Sequence, residues 1–271
     1  MRSAHARRSK GAAPIGFPGS VEVRSTGGTL VETRSTPSFR AAVSSVPRVL
    51  IGELAALGNP NGTVNVVRLQ PLRTLVTLTP AVATETYVDA VWAAEPGAST
   101  YETLALRTAT QVEFFRVPTD LAASCSSQPA GCPVRIGAVP LADSAGAIIP
   151  DDWTAVQTAS ATRLYVVNGS SSLFIGNLGA SALIPTGVGS QSWLDVETAP
   201  SSTKVFLVDR EAPAIAIVDG TAVLQIDTSR IGVLTFVMNG PLRVAPGATY
   251  AWAPGRTLRG TEGWAVFFGG L

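Results

Sequence analysis

Trp153-Thr154-Ala155-Val156-Gln157-Thr158-Ala159 returns forty residues later as Trp193-Leu194-Asp195-Val196-Glu197-Thr198-Ala199, with Trp, Val, Thr and Ala at the same places. The likeness continues downstream. Thr162-Arg163-Leu164-Tyr165-Val166-Val167-Asn168 answers Thr203-Lys204-Val205-Phe206-Leu207-Val208-Asp209, and each is followed by a polar turn and another apolar run. Short strand-like segments repeating with a period near forty are the pattern of a β-propeller blade, a sheet that buries its faces only against its neighbours. The expected fold is all-β and β-propeller-like, with four to five blades of short antiparallel strands. Such a scaffold hosts many unrelated activities, so the repeat identifies a shape before a function.

Upstream of the repeat the same grammar recurs. Val21-Glu22-Val23 and Thr29-Leu30-Val31-Glu32-Thr33 flank Gly27-Gly28 as a hairpin would. Arg48-Val49-Leu50-Ile51, the turn Asn59-Pro60-Asn61-Gly62, Thr63-Val64-Asn65-Val66-Val67-Arg68 and Thr74-Leu75-Val76-Thr77-Leu78 then alternate strand with turn. A second unit runs from Tyr87-Val88-Asp89-Ala90-Val91 through Leu104-Ala105-Leu106 to Gln111-Val112-Glu113-Phe114-Phe115-Arg116, which echoes Thr63–Arg68. Residues 119–133 interrupt it as an inserted loop, before Val134-Arg135-Ile136 resumes. Units three and four occupy roughly 150–190 and 191–230. The last unit, with Val233–Val237, Ala248–Trp252 and Trp264–Phe268, lacks the leading aromatic, and the N-terminal hairpin is the natural strand donor to close its blade. The domain reading is therefore an irregular basic arm over 1–19 and a single propeller-like domain over 20–271. No segment holds sustained helical spacing; Leu54-Ala55-Ala56-Leu57 and Asp120-Leu121-Ala122-Ala123 would make single helical turns at most.

Residues 193–228, where Lys204-Val205-Phe206-Leu207-Val208-Asp209 precedes Ala214-Ile215-Ala216-Ile217-Val218-Asp219-Gly220, resemble the YVTN-type β-propeller repeats of bacterial surface and periplasmic proteins. Residues 153–186 resemble them less closely. The family tetrapeptide survives only as Tyr165-Val166-Val167-Asn168 and Phe206-Leu207-Val208-Asp209. The resemblance implies a propeller fold and an extracellular or periplasmic location; the β-rich Gly/Ala/Thr composition leaves a virion as the alternative.

Composition narrows the function. Of 271 residues only 14% are charged, against about 25% in an average soluble protein. The formal net charge of +1 supplies no field to draw in nucleic acid. Arg2, Arg7, Arg8 and Lys10 form the one basic cluster and read as a solvated or partner-binding arm. They resemble the charged start of a signal peptide, but Gly11–Pro18 offers no continuous apolar run to follow it. No stretch is apolar for long enough to make a membrane-spanning helix. The two cysteines, Cys125 and Cys132, enclose the turn-forming Ser-Ser-Gln-Pro-Ala-Gly, so a local disulfide and a pair of thiols are both open readings, the first implying an oxidising compartment.

Catalytic motifs are missing from the sequence. It holds no phosphate-cradling Gly-Lys-Ser/Thr loop, no His-Glu-x-x-His and no Gly-x-Ser-x-Gly, and its single histidine, His5, lies in the arm. No catalytic, cofactor or metal residue is expected. Paired carboxylates remain the enzymatic alternative: Asp89 and Asp195, or Asp151 and Asp152, held about 5–10 Å apart in a channel, would suit a glycoside-active propeller. The competing role for these acids is to accept backbone N–H groups at turns and strand ends. Trp153 and Trp193, at equal phase, read as packing residues of successive blades. Asn61-Gly62-Thr63 and Asn168-Gly169-Ser170 match glycosylation sequons and equally match turns. The sequence thus points to a cofactor-free binding or structural scaffold that presents a rigid β surface to a protein, to a glycan or to further copies of itself. A virion structural component is the alternative.

Overall fold

Four successive four-stranded meanders carry the chain from residue 42 to residue 227 in a computed structural model. The structure describes residues 19–24, 30–36, 42–43, 54–69, 72–94, 100–118, 131–168, 172–186, 193–198, 202–209, 214–220, 222–227, 236–238, 243–244, 250–257 and 262–268. The chain divides into two compact units, Met1–Trp92 with Ser99–Ala138, and Ala93–Ala98 with Val139–Leu271.

In the first unit β1 (Gly19–Arg24) and β2 (Leu30–Thr36) pair as a hairpin, with a register shift between Val23 and Arg24. They form a two-stranded sheet of their own. The next sheet has the order β3 (Ala42–Val43), β4 (Leu54–Gly58), β5 (Val64–Leu69), β6 (Leu72–Leu78). Leu54–Leu57, expected to turn helically, is therefore a strand: its Leu-Ala-Ala-Leu spacing suits either period, and pairing with Asn65–Arg68 decides it. The following sheet runs β7 (Asp89–Trp92), β8 (Tyr101–Arg107), β9 (Gln111–Pro118), β10 (Val134–Pro140). β5 and β9 are both third strands, which explains the echo between their sequences. Ala56, Val64, Val66, Leu75 and Leu78 of one sheet form a core with Tyr87 and with Ala90, Trp92, Leu104, Leu106, Phe115 and Val117 of the other. The β4–β5 turn is fastened to that second sheet's entry, because Tyr87 N donates to Gly62 O at 2.8 Å. Gly62 has φ +77°, and a Cβ there would meet Thr86 at 2.2 Å, so only glycine fits.

The chain passes into the second unit within β10. β11 (Ala142–Asp143) and β12 (Gly146–Ala147) make a small hairpin. Two regular sheets follow, β13 (Asp152–Gln157), β14 (Thr162–Asn168), β15 (Ser172–Asn177), β16 (Ile184–Pro185), and β17 (Trp193–Thr198), β18 (Lys204–Asp209), β19 (Ala214–Asp219), β20 (Ala222–Asp227). Val156, Tyr165, Val167, Leu173 and Ile175 of the former pack on Trp193, Val196, Val205, Leu207, Ala216 and Val218 of the latter. The last sheet departs from the meander. β23 (Tyr250–Thr257) pairs on one side with β24 (Glu262–Phe268), and on its other with β22 (Arg243–Val244) near its start and β21 (Phe236–Met238) near its end. This sheet draws all four strands from residues 236–268, so the N-terminal hairpin is not among them.

Candidate functional site

The repeat that opens the sequence places its tryptophans on first strands, β13 and β17, and both are buried. Alternation along β13 puts Asp152, Thr154 and Val156 on the face that meets the next sheet and Trp153 on the opposite face. In β17 the register skips Leu194, and this bulge brings Val196 round to the side of Trp193. The repeated Val thus serves opposite faces in the two copies.

Of the candidate acids, Asp89, Asp152 and Asp195 are buried on first strands, while Asp151 is exposed. Asp89 Oδ1 accepts the N–H of its own neighbour Ala90 at 2.9 Å. Asp152 reaches across to the next sheet, where its Oδ2 accepts the buried N–H of Val196 at 3.0 Å. One residue pair further along, the hydroxyls of Thr154 and Thr198 lie 3.4 Å apart. At the far rim of the same face Tyr165 Oη donates to Gly220 O at 3.1 Å, and burial holds this hydroxyl above its ordinary pKa against the opposing pull of Arg163. Asp152 therefore works as a clamp between two sheets, in register with the core residues Val167 and Leu173.

A second polar constellation lies in the first unit, and sequence reasoning missed it. Glu113 is fully buried in β9 and accepts hydrogen bonds from Tyr87 Oη (2.8 Å), Gln111 Nε2 (2.9 Å) and Ala81 N (3.0 Å). Arg135 Nε of β10 completes an ion pair at 3.2 Å. Tyr87 Oη also lies 3.0 Å from Thr79 O, and its ring meets Phe115 edge-on at 6.5 Å. Burial first, then the bond to Glu113, pushes the Tyr87 hydroxyl well above its ordinary pKa. The signal was a charge in an inward-facing run, Val112-Glu113-Phe114-Phe115, where burial demands partners.

Asn61 Oδ1 accepts from Thr63 N at 3.2 Å and Thr63 Oγ1 at 2.8 Å, so the first sequon is a side-chain-closed turn. Cys132 lies half-buried just before β10; Cys125, and with it the question of a disulfide, falls outside the described residues, as do Arg2, Arg7, Arg8 and Lys10. Among the described residues no group of three His, Cys, Asp or Glu side chains is placed to hold a metal ion. No described helix is long and apolar enough to cross a membrane.

No protein family and no curated protein matches the chain by sequence. Solved structures do match it. BBS1N, crystallised in complex with ARL6DN, aligns with a TM-score of 0.55 at 8% identity over 92% of this chain and 74% of its own. The Cps50 (Swd1) β-propeller domain of Myceliophteria thermophila gives 0.52 at 12% identity, covering 93% and 78%. The Pan2 WD40 domain of Neurospora crassa gives 0.51 at 14%, covering 90% and 69%. The chain has a β-propeller fold.

Proposed function

We propose that this chain is a non-catalytic β-propeller scaffold that presents a rigid β surface to a protein partner. The observation that carries the reading is the use made of Asp152: this buried carboxylate, a candidate for catalysis in the sequence, accepts a backbone N–H of the neighbouring sheet. Buried acids that stitch sheets together make a stiff platform. Fold-level analogy adds support, since one similar propeller, BBS1N, is crystallised with a protein partner. A kinship with YVTN-type repeats and a Cys125–Cys132 disulfide belong to the same proposal, and the disulfide would require an oxidising compartment.

The full chain, immobilised and exposed to extract of its native source, should retain one protein at near-stoichiometric yield, and that protein, purified, should bind it again. Hydrolysis of aryl glycosides that Asp152→Asn abolishes would overturn the reading in favour of a glycosidase. Two alkylatable thiols in protein from the native source would remove the oxidising location.

A further inference from the structure

We infer that the chain self-associates by pairing the outer edge of β12 with the same edge of a second copy. β12 pairs with β11 through Ala142↔Ala147 and Asp143↔Gly146, and Ile148 N donates to Leu141 O at 2.8 Å. Because backbone groups alternate along a strand, the N–H and C=O of Ala147 and Ile149 point away from β11. On β11's other side Ala142 O accepts Leu183 N at 2.7 Å, next to β16, so β12 forms the outer margin of this ribbon. Side chains alternate as well. Leu141, Ile148 and Leu183 are buried beneath the ribbon, whereas Ala147 is exposed and Ile149 is 83% exposed, the most exposed large apolar side chain among the described residues.

Edges are normally guarded by charge, proline or a bulge. β16 carries Pro185, whereas on the β12 side the outward-facing Ala147 and Ile149 bear no charge and the proline, Pro150, comes only after them. The one charge of the hairpin, Asp143, is occupied by its own turn, where Oδ1 accepts Ala145 N at 2.8 Å and Gly146 N at 3.0 Å. Ser144, Ala145, Gly146 and Ala147 are small, and the space around the Cα of Gly146 is open. Another backbone can therefore approach to sheet distance.

A second copy fits this edge because the edge is self-complementary. A two-fold axis through Ile148 sets Ala147 opposite the partner's Ile149, and Ile149 opposite the partner's Ala147, each pair exchanging both of its N–H···O bonds. Each large Ile149 then covers a small Ala147, and no charge meets its like. Pro150 holds Ile149 extended and ends the ladder. A formal net charge of +1 sets little long-range repulsion against the approach of two chains.

The test uses the full chain under a thiol reductant, so that Cys125 and Cys132 cannot cross-link copies. Sedimentation equilibrium between about 10 and about 100 µM should show the mean mass rising from 28.0 kDa toward twice that value. Ile149→Lys should stay at the monomer mass with an unchanged thermal unfolding midpoint. The amides of Ala147 and Ile149 should exchange about two- to threefold more slowly at the upper end of that range than at the lower. A wild type that remains monomeric overturns the inference. So does a dimer that Ile149→Lys leaves intact, or exchange at these two amides that does not depend on concentration. The scaffold reading survives each of these outcomes, because its own test is capture of a different protein.

Discussion

β13 and β17 carry the same Trp-x-x-Val-x-Thr-Ala frame, yet β13 runs in unbroken register and β17 bulges at Leu194. In β13 the Trp and the Val lie on opposite faces; in β17 they share one, and both enter the core between the two sheets. Sequence identity at four positions thus fixes the outline of a sheet but not the side each residue faces, which a single unpaired residue can reverse.

The sharpest way to break this comparison is deletion. Removing Thr154 shifts Asp152 and Trp153 by one position against Val156 and turns buried groups outward, so that variant should lose the cooperative unfolding of its sheets altogether. Removing Leu194 removes the bulge while keeping Trp193 and Val196 on one face, and should cost no more than about 1–2 kcal/mol. Equal losses in urea titrations of the two variants would show that the bulge is not an insertion. Next in size, Trp153→Ala and Trp193→Ala should each cost about 3–5 kcal/mol, since both side chains are fully packed. A tryptophan whose removal costs under about 1 kcal/mol would end the packing account for its copy. Asp152→Ala should cost about 1–3 kcal/mol by stranding the buried Val196 N–H, with Asp152→Asn milder because an amide oxygen still accepts. Equal melting points for the two variants would refute the clamp.

The smallest effect concerns the first unit, where the stitch is Glu113 in place of Asp152. Tyr87→Phe removes one donor to Glu113 and should cost about 1 kcal/mol at neutral pH. In the folded chain burial and Glu113 keep Tyr87 protonated well above its unfolded value of 10.0. The unfolded chain therefore releases the proton first as pH rises through 10. Stability is intact below that point, and this residue should remove about 1.4 kcal/mol per pH unit above it. The wild type should lose stability faster than Tyr87→Phe between about pH 10 and 11; parallel curves would show that Tyr87 titrates normally.

Much of the fold was legible because propeller-type sheets write themselves into side-chain period and turn chemistry. Thr158-Ala159-Ser160-Ala161, part of the repeat, closes its hairpin through Ala161 N to Thr158 Oγ1 at 3.0 Å, and Thr108 does the same with Gln111 N at 3.2 Å. The N-terminal hairpin and the kinship of β5 with β9 were legible for the same reason. Leu54–Leu57 was not, because four apolar residues satisfy either period. The bulge at Leu194 was hidden, since bulges reside in backbone register and leave the residue pattern untouched. Of the polar constellations, Asp152 could be nominated from its place before Trp153, but its acceptor role depends on a sheet forty residues away. The Glu113 cluster gathers Tyr87, Ala81, Gln111 and Arg135 from separate segments, a convergence that no local pattern announces. The edge of β12 was equally silent, because exposure of Ile149 follows from the burial of its neighbours.

The bond from Val196 N to Asp152 has a consequence for motion. It ties the first strand of one sheet to the first strand of the next, at the end where a sheet would otherwise begin to peel away. Neither sheet can open alone without stranding a buried group in its neighbour, so the two breathe as one body. Their amides should share a single free energy of opening, although the two sheets are separate copies of one repeat.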